Sequence, residues 1–309
     1  MIRRYRRELS VLGAWVGLLA VLAVAAPGFF GAGNLRVMLV GFAPTLVAAI
    51  GMTLVIVARQ IDISVGAQFA VCAVVGALLV RAGWPVSLAA VGAIATGAAL
   101  GTINGLFVAM LRLPAIVVTL ALFFVLKEGL RWWRRGELIR DLTSFQWFGF
   151  EQTTGVWVIV GIAAVVFVLV AWAARNLAAG RAIYATGSDE EAARLAGLRP
   201  RTVTFGVFVF MGALAGLAAM LEAVQLPFVD PKAGTGMEMK VIAAAVVGGA
   251  AVSGGRGTLV GTLFGVLLLG TIGSALVFLH LEAQWEEAIQ GGIILLTVAS
   301  DMSVRRRMT

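Results

Sequence analysis

The sequence predicts an all-α protein that crosses a membrane about ten times, with some of its helices short or broken. Three observations carry this reading. Of 309 residues, 61% are hydrophobic and only 13% are charged, with a mean hydropathy of +0.99; a water-soluble domain carries about a quarter charged residues and about half apolar ones. A bilayer core about 30 Å thick takes about 20 apolar residues per helix, so ten helices would use roughly 200 residues, close to the hydrophobic share. The stretches between apolar runs reach about 30 residues at most, too short to bury a core of their own. The chain therefore reads as one transmembrane domain, residues 1–309.

Each span is an apolar window closed by charge, Pro or Gly. The first, 9–26, follows Arg3, Arg4, Arg6 and Arg7 and stops at Pro27. Its basic start and its Ala23-Val24-Ala25 imitate a secretory signal, but the apolar run is long for a signal core. Its loss would also place the chain ends on opposite sides, against the basic tail Arg305, Arg306 and Arg307; it is expected to remain as a span. The second and third, 35–58 and 63–80, are separated by Arg59 to Asp62. The fourth, 86–111, lies between Pro85 and Arg112, and the fifth, 114–126, between Leu113 and Lys127. The sixth to tenth fall at 155–174, 203–222, 237–252, 257–279 and 286–304. The segments starting at 114 and 237 are short or Gly-rich and are the candidates for re-entrant or broken helices lining a cavity. Glycines four apart, Gly13 with Gly17, Gly97 with Gly101 and Gly105, Gly212 with Gly216, and Gly257 with Gly261 and Gly265, are expected to bring helix backbones close together.

Charge sets the orientation. With ten spans and both ends cytoplasmic, most of the 24 Lys and Arg lie inside, as the positive-inside rule requires. The exception is an outer loop from Lys127 to Thr153, where Glu128, Glu137, Asp141 and Glu151 offset the basic residues. Its Trp132, Trp133, Trp147 and Phe148 suit a membrane interface, so the loop reads as a wetted amphipathic hairpin or as a docking surface for an external partner. The net charge of +8 suits an anionic leaflet of membrane lipid, and nothing here suits nucleic acid.

Several chemistries are excluded. One cysteine, Cys72, and one histidine, His280, cannot supply a zinc, haem or iron–sulfur site. The three lysines, Lys127, Lys232 and Lys240, follow no glycine, so the nucleotide-binding phosphate loop is absent. If ATP drives this protein, ATP and its magnesium are bound by another subunit; this chain itself is expected to hold no cofactor and to be no enzyme.

The segment 175–202 is the most informative part of the sequence. Ser188 followed by Glu191 reads as a capping box, and Asp189 and Glu190 suit the positive end of a helix. Ala192, Ala193, Leu195 and Ala196 add a small apolar surface, and Gly197 with Pro200 stops the helix within about two turns. Such a helix is marginal alone and needs its own spans or a partner's groove.

The run Gly187-Ser188-Asp189-Glu190-Glu191-Ala192-Ala193-Arg194-Leu195-Ala196-Gly197 resembles the cytoplasmic loop of permease subunits of ATP-binding cassette (ABC) importers. Three further runs, Gln60 to Gly66, Leu113 to Leu120 and Val247 to Thr258, are similar to ribose/rhamnose-type sugar permeases, which are related to autoinducer-2 permeases. The four occur in family order over nearly the whole chain. Gln60, where the family commonly has glycine, with Arg59 before it, and the run Trp285 to Gly291 are closer to the rhamnose branch. The resemblance implies that Ser188, Asp189, Glu190, Glu191, Ala192, Ala193, Arg194 and Gly197 couple the chain to an ATPase subunit. It implies a binding protein outside, a second permease copy or homologue, and import of a sugar across the bacterial inner membrane.

Other polar residues are weighed individually. Asp62 reads either as a helix cap or local partner of Arg59, or, with Arg59, Ser64 and Arg256, as part of a gate or ATPase contact at the cytoplasmic mouth. Glu222, Glu238 and Lys240 read as outer-mouth residues. A neutral sugar needs hydrogen-bonding groups and aromatic faces along its path. Gln68, Thr102, Asn104, Thr119, Phe123 and Gln290 are the candidates within spans, each with cross-helix bonding as the plainer explanation. Gln68, Asn104, Thr119 and Phe123 are placed on the path. An ion-coupled secondary transporter is the competing class, but it ordinarily carries charges near mid-membrane, whereas these cluster at segment ends. An embedded hydrolase lacks its catalytic groups.

Overall fold

A computed structural model describes residues 6–140, 142, 145–282, 284–293 and 295. Arg3, Arg4, Asp141, the last part of the tenth span and the tail Arg305 to Arg307 lie outside them. The described helices are α1 (Arg6–Ala25), α2 (Ala32–Val57), α3 (Val65–Arg81), α4 (Val86–Gly105), α5 (Ala115–Arg134) and α6 (Gln152–Asn176). Then follow α7 (Ala178–Ser188), α8 (Glu190–Leu195), α9 (Pro200–Ala223), α10 (Met237–Val247) and α11 (Leu259–Phe278), with helix again over 285–293. Six of these, α1, α2, α4 with its π-helical extension to Met110, α6, α9 and α11, are long and apolar enough to cross a membrane.

The departures from the sequence reading have physical causes. The segment from 237 is indeed short: α10 has 11 residues, about 16 Å of helix, and it starts after Gly234 and Gly236, whose φ values of 82° and 79° only glycine adopts without strain. The segment from 114 is a full helix. α5 runs two turns past Lys127 because Lys127, Glu128, Arg131 and Arg134 are good helix formers, so the loop expected on the outside begins at Arg135 rather than Lys127. That loop is no wetted hairpin: Ile139, Leu142 and Phe145 are buried, and Ile139 pairs with Val229 in both directions at 2.9 Å. Trp132 and Trp133 stay exposed, as an interfacial belt requires.

α2 lies at the centre, with 78% of its most apolar window buried, against 11% for α1 and 17% for α6 at the rim of the bundle. α1 is tied to α11, where Trp15 Nε1 donates to Thr271 Oγ1 at 3.0 Å and Thr258 Oγ1 donates to Glu8.

α4 and α9 meet backbone to backbone. A Cβ on Gly97 would strike the Gly212 carbonyl, one on Gly212 the Gly97 carbonyl, and one on Gly101 the Phe208 carbonyl. Without a hydrophobic drive between helices in lipid, close van der Waals contact of this kind holds them. Gly261 and Gly265 do the same against Gly248 and Ala244 of α10, whereas Gly13 and Gly17 meet nothing; α1 faces outward there, so its spacing carries no packing. Gly212→Leu is expected to separate α4 from α9 at a cost on the order of 1–3 kcal/mol or more, read as a lower fraction of monodisperse protein after heating in detergent, while Gly13→Leu leaves that fraction unchanged.

Candidate functional site at the helix breaks

Between α2 and α3 the chain leaves helical geometry, with Arg59 at φ 64°, and a polar knot forms there. Asp62, Ser64, Gln68, Asn104 and Thr119 are all fully buried. Asp62 Oδ1 accepts from the Ser64 N–H at 2.9 Å and from its hydroxyl at 2.5 Å. Asp62 Oδ2 accepts from Gln68 Nε2 at 3.2 Å, and Asn104 Nδ2 on α4 reaches both carboxylate oxygens at 3.4 and 3.3 Å. Ser64 Oγ in turn accepts from Gln68 at 2.7 Å and Asn104 at 2.8 Å. Thr119 of α5 joins from the side, donating to Ala115 O at 2.9 Å and lying 3.4 Å from Ile61 O.

A buried carboxylate is costly unless its lone pairs are filled, and here neutral donors fill them. The expected pairing with Arg59 does not form: Asp62 has no ion pair among the described residues, and it binds the Ser64 N–H without being the cap of α3. The backbone turns Arg59 toward Gly254 instead. Arg256 is exposed on the neighbouring turn. The knot thus unites Asp62 and Ser64, read as gate, with Gln68, Asn104 and Thr119, read as path. Phe123 is not in it: it lies one turn along α5, with Lys127 over its ring at 5.2 Å.

Thr119, Phe123 and Lys127 are spaced to share one face of α5. Lys127 is within electrostatic reach of Glu238. The Glu238 carboxylate abuts Gly66 in the first turn of α3, one turn from the knot. Lys240 turns the other way, to Glu286 at 3.0 Å, which also accepts from Gln290 at 3.0 Å. Thr102 bonds its own helix, at Ala98 O.

The second break, between α10 and α11, meets the first. Gly255 N donates to Val57 O at 2.8 Å, and Gly187, near the end of α7, lies so close that its Cβ would overlap the Val57 carbonyl. Tyr184 on α7 donates its hydroxyl to Gly257 O at 2.9 Å. Burial pushes this hydroxyl above its ordinary pKa, with Arg175 partly opposing, so it stays protonated and donating. The end of α7 therefore rests on both breaks at once.

α8 hangs from that joint. Its cap is Asp189, which accepts from Ala192 N at 3.0 Å, not Ser188; Ser188 completes α7, and the chain turns extended only at Asp189 (φ −157°). Glu191 pairs instead with Arg194 at 2.5 Å, both exposed, so the capping box does not close. Of the small apolar surface only Ala193 is buried, and Leu195 is 80% exposed. Gly197, at φ 82°, ends the element. Tyr184 and Gly187 were not singled out by sequence as joint residues, because glycine and tyrosine in a polar connector carry no pattern; Gly187 stood inside the matched motif only as its first letter.

Comparison with known proteins fits this arrangement. Residues 34–298 match the family described as branched-chain amino acid transport system / permease component. The ribose import permease protein RbsC of Escherichia coli K12 is 34% identical over 95% of this chain and 93% of its own length. The autoinducer 2 import system permease protein LsrC of Salmonella typhi is 34% identical over 97% and 86%, and LsrC of Salmonella paratyphi B is 36% identical over 84% and 75%. No solved structure matches.

Proposed function

Because the chain belongs to the branched-chain amino acid transport system / permease component family, we propose that it is the membrane permease subunit of an ABC importer that brings a monosaccharide, a rhamnose-like deoxyhexose or a pentose, across the bacterial inner membrane. The names of the two kinds of relative, ribose and autoinducer 2 permeases, support a small polyhydroxylated cargo. The end bearing α7 and α8 is the cytoplasmic end in this reading, with both termini on that side.

The observation that carries it is α8: a capped helix of six residues, too short to persist unaided, exposed on nearly every side and attached to the two helix breaks. An ATPase subunit that binds ATP and magnesium and receives α8 in a groove would stabilise it and move it. Residues Ser188 to Arg194 and Gly197 form that contact. Movement of the α7 end passes to Val57 and Gly255, and from there to the Asp62 knot, which closes the inner mouth. Arg59 and Arg256 flank this closure. Gln68, Asn104, Thr119 and Phe123 border the route, offering amide, hydroxyl and aromatic surface to a sugar. A binding protein delivers the sugar outside, and a second copy or homologue completes the channel. No residue here performs chemistry on the cargo, and ATP hydrolysis belongs to the partner.

Glu191→Lys reverses a charge on the exposed face of α8 and touches nothing buried. It is expected to leave insertion and folding intact, to cut co-purification of the ATPase subunit, and to cut sugar uptake in proportion. Unchanged uptake by a normally expressed variant overturns the assignment of α8.

A further inference from the structure

A cavity of about 280 Å³ lies between α2, α10, α11 and the helix over 285–293. It uses the first half of α2 and the second half of α11, so it sits in the half of the bundle remote from α8. Thr45, Lys240, Ser274, Glu286 and Gln290 line it together with Phe42, and every other lining residue is apolar or glycine. α10 stands between this cavity and the Asp62 knot, with Glu238 turned to Gly66 of α3 and Lys240 to the cavity.

Two glycines of α11 make room for the lining groups. A Cβ on Gly270 would strike the Phe42 ring, and one on Gly273 would press on the Glu286 carboxylate at 3.0 Å. Lys240 pairs with Glu286 Oε1 at 3.0 Å, and Gln290 Nε2 donates to the same oxygen at 3.0 Å. Much bonding capacity remains. Glu286 Oε2 and the Gln290 carbonyl accept no hydrogen bond among the described residues, Ser274 makes none, and Thr45 reaches only Gly41 O of its own helix at 3.4 Å. Lys240 carries three N–H donors and has this one ion-pair partner among the described residues. Polar groups removed from water need partners, and ionisable residues within a membrane bundle pair around cavities and solute paths.

Three features define the occupant. Lys240 and Glu286 cancel each other's charge, which favours an uncharged solute. Donors and acceptors stand beside an aromatic side chain, which suits a molecule with hydroxyls on its edge and C–H surface on its face. The volume falls at the low end of small-molecule pockets, roughly 300–1,000 Å³, and suits a single sugar ring. We propose that this cavity is a monosaccharide subsite separate from the Asp62 knot, the sugar lying on Phe42 with its hydroxyls bonded to Lys240, Glu286, Gln290 and Ser274. That the solute is a sugar rests on the importer reading above, in which this half of the bundle is the outer one.

The chain has one cysteine, Cys72, and it is buried, so an added thiol reports on its own surroundings. Ser274→Cys places that thiol in the cavity, and Thr235→Cys, on an exposed turn outside it, is the control. The permease in lipid nanodiscs is treated with a methanethiosulfonate reagent in the presence of D-ribose, L-rhamnose, leucine or no solute, and modification is followed by mass spectrometry. One of the two sugars is expected to slow modification of Ser274→Cys several-fold and leucine to leave it unchanged, while Thr235→Cys reacts at one rate throughout. Gln290→Leu, added to Ser274→Cys, is expected to abolish this protection without altering the rate in the absence of solute. No protection by either sugar, equal protection by leucine, protection that survives Gln290→Leu, or a Ser274→Cys variant that never reacts would each overturn the proposal. ATP-driven uptake of the same sugars by the reconstituted parent transporter is measured in parallel. Uptake without protection removes this site and leaves the importer reading standing, whereas protection without uptake keeps the site and removes that reading.

Discussion

Asp62→Ala is expected to be the most damaging single substitution in the chain. It removes the acceptor for the Ser64 N–H, the Ser64 hydroxyl, Gln68 and Asn104, all of them fully buried. Each buried donor left unmade costs about 1–3 kcal/mol, and a network of them loses more than separate pairs would; the total is expected to exceed about 3 kcal/mol. The loss is read as a collapse of the monodisperse fraction after mild heating in detergent. Asp62→Asn keeps one acceptor but turns an amide toward the donors of Gln68 and Asn104, so its stability falls between the two. An alanine variant as heat-resistant as the parent and equally active in uptake sinks the role of the knot.

Gly187→Val has the second largest effect, and of a different kind. Any Cβ at this position overlaps the Val57 carbonyl, so the end of α7 must lift off the junction of the two breaks. α8 keeps its own cap and exposed face. The variant is therefore expected to hold its ATPase partner and permit ATP hydrolysis while sugar uptake falls by roughly 5- to 150-fold, the range of ordinary coupling free energies. Tyr184→Phe removes one hydrogen bond from the same joint without a clash, and costs about 1 kcal/mol. Uptake and hydrolysis falling together in Gly187→Val would mean that the joint only supports folding.

The order and approximate limits of the spans were legible because lipid imposes one rule on every helix, and α1, α2, α4, α6, α9 and α11 obey it plainly. The break before Met237 was legible from its glycines. The length of α5 was not: charged residues that end an apolar window are also good helix formers, and hydropathy alone cannot separate the two. The cap of α8 shifted by one residue because Ser188 and Asp189 are both competent caps, and α7, a helix that sequence had taken for connector, runs through Ser188. Asp62, Gln68, Asn104 and Thr119 could each be picked out as polar residues in apolar surroundings. That they meet could not, since Asn104 lies 42 residues from Asp62, and no local period records such an approach. Arg59 was the nearer partner in sequence and the wrong one, because its backbone conformation turns it away.

The glycine contact between α4 and α9 bears on how such a chain can alternate. Two helices that touch glycine to carbonyl at Gly97, Gly101 and Gly212, with Phe205 packed against Gly105 beyond them, hold their register closely and cannot roll freely against each other. They form a stator. α10 and α11 touch in the same way at Gly261 and Gly265 and belong to the fixed part, whereas α5 is held by side chains, with Thr119 supplying its hydrogen bond to the break. Exchange of access between the two faces is then expected to rest on α5 tilting against this spine.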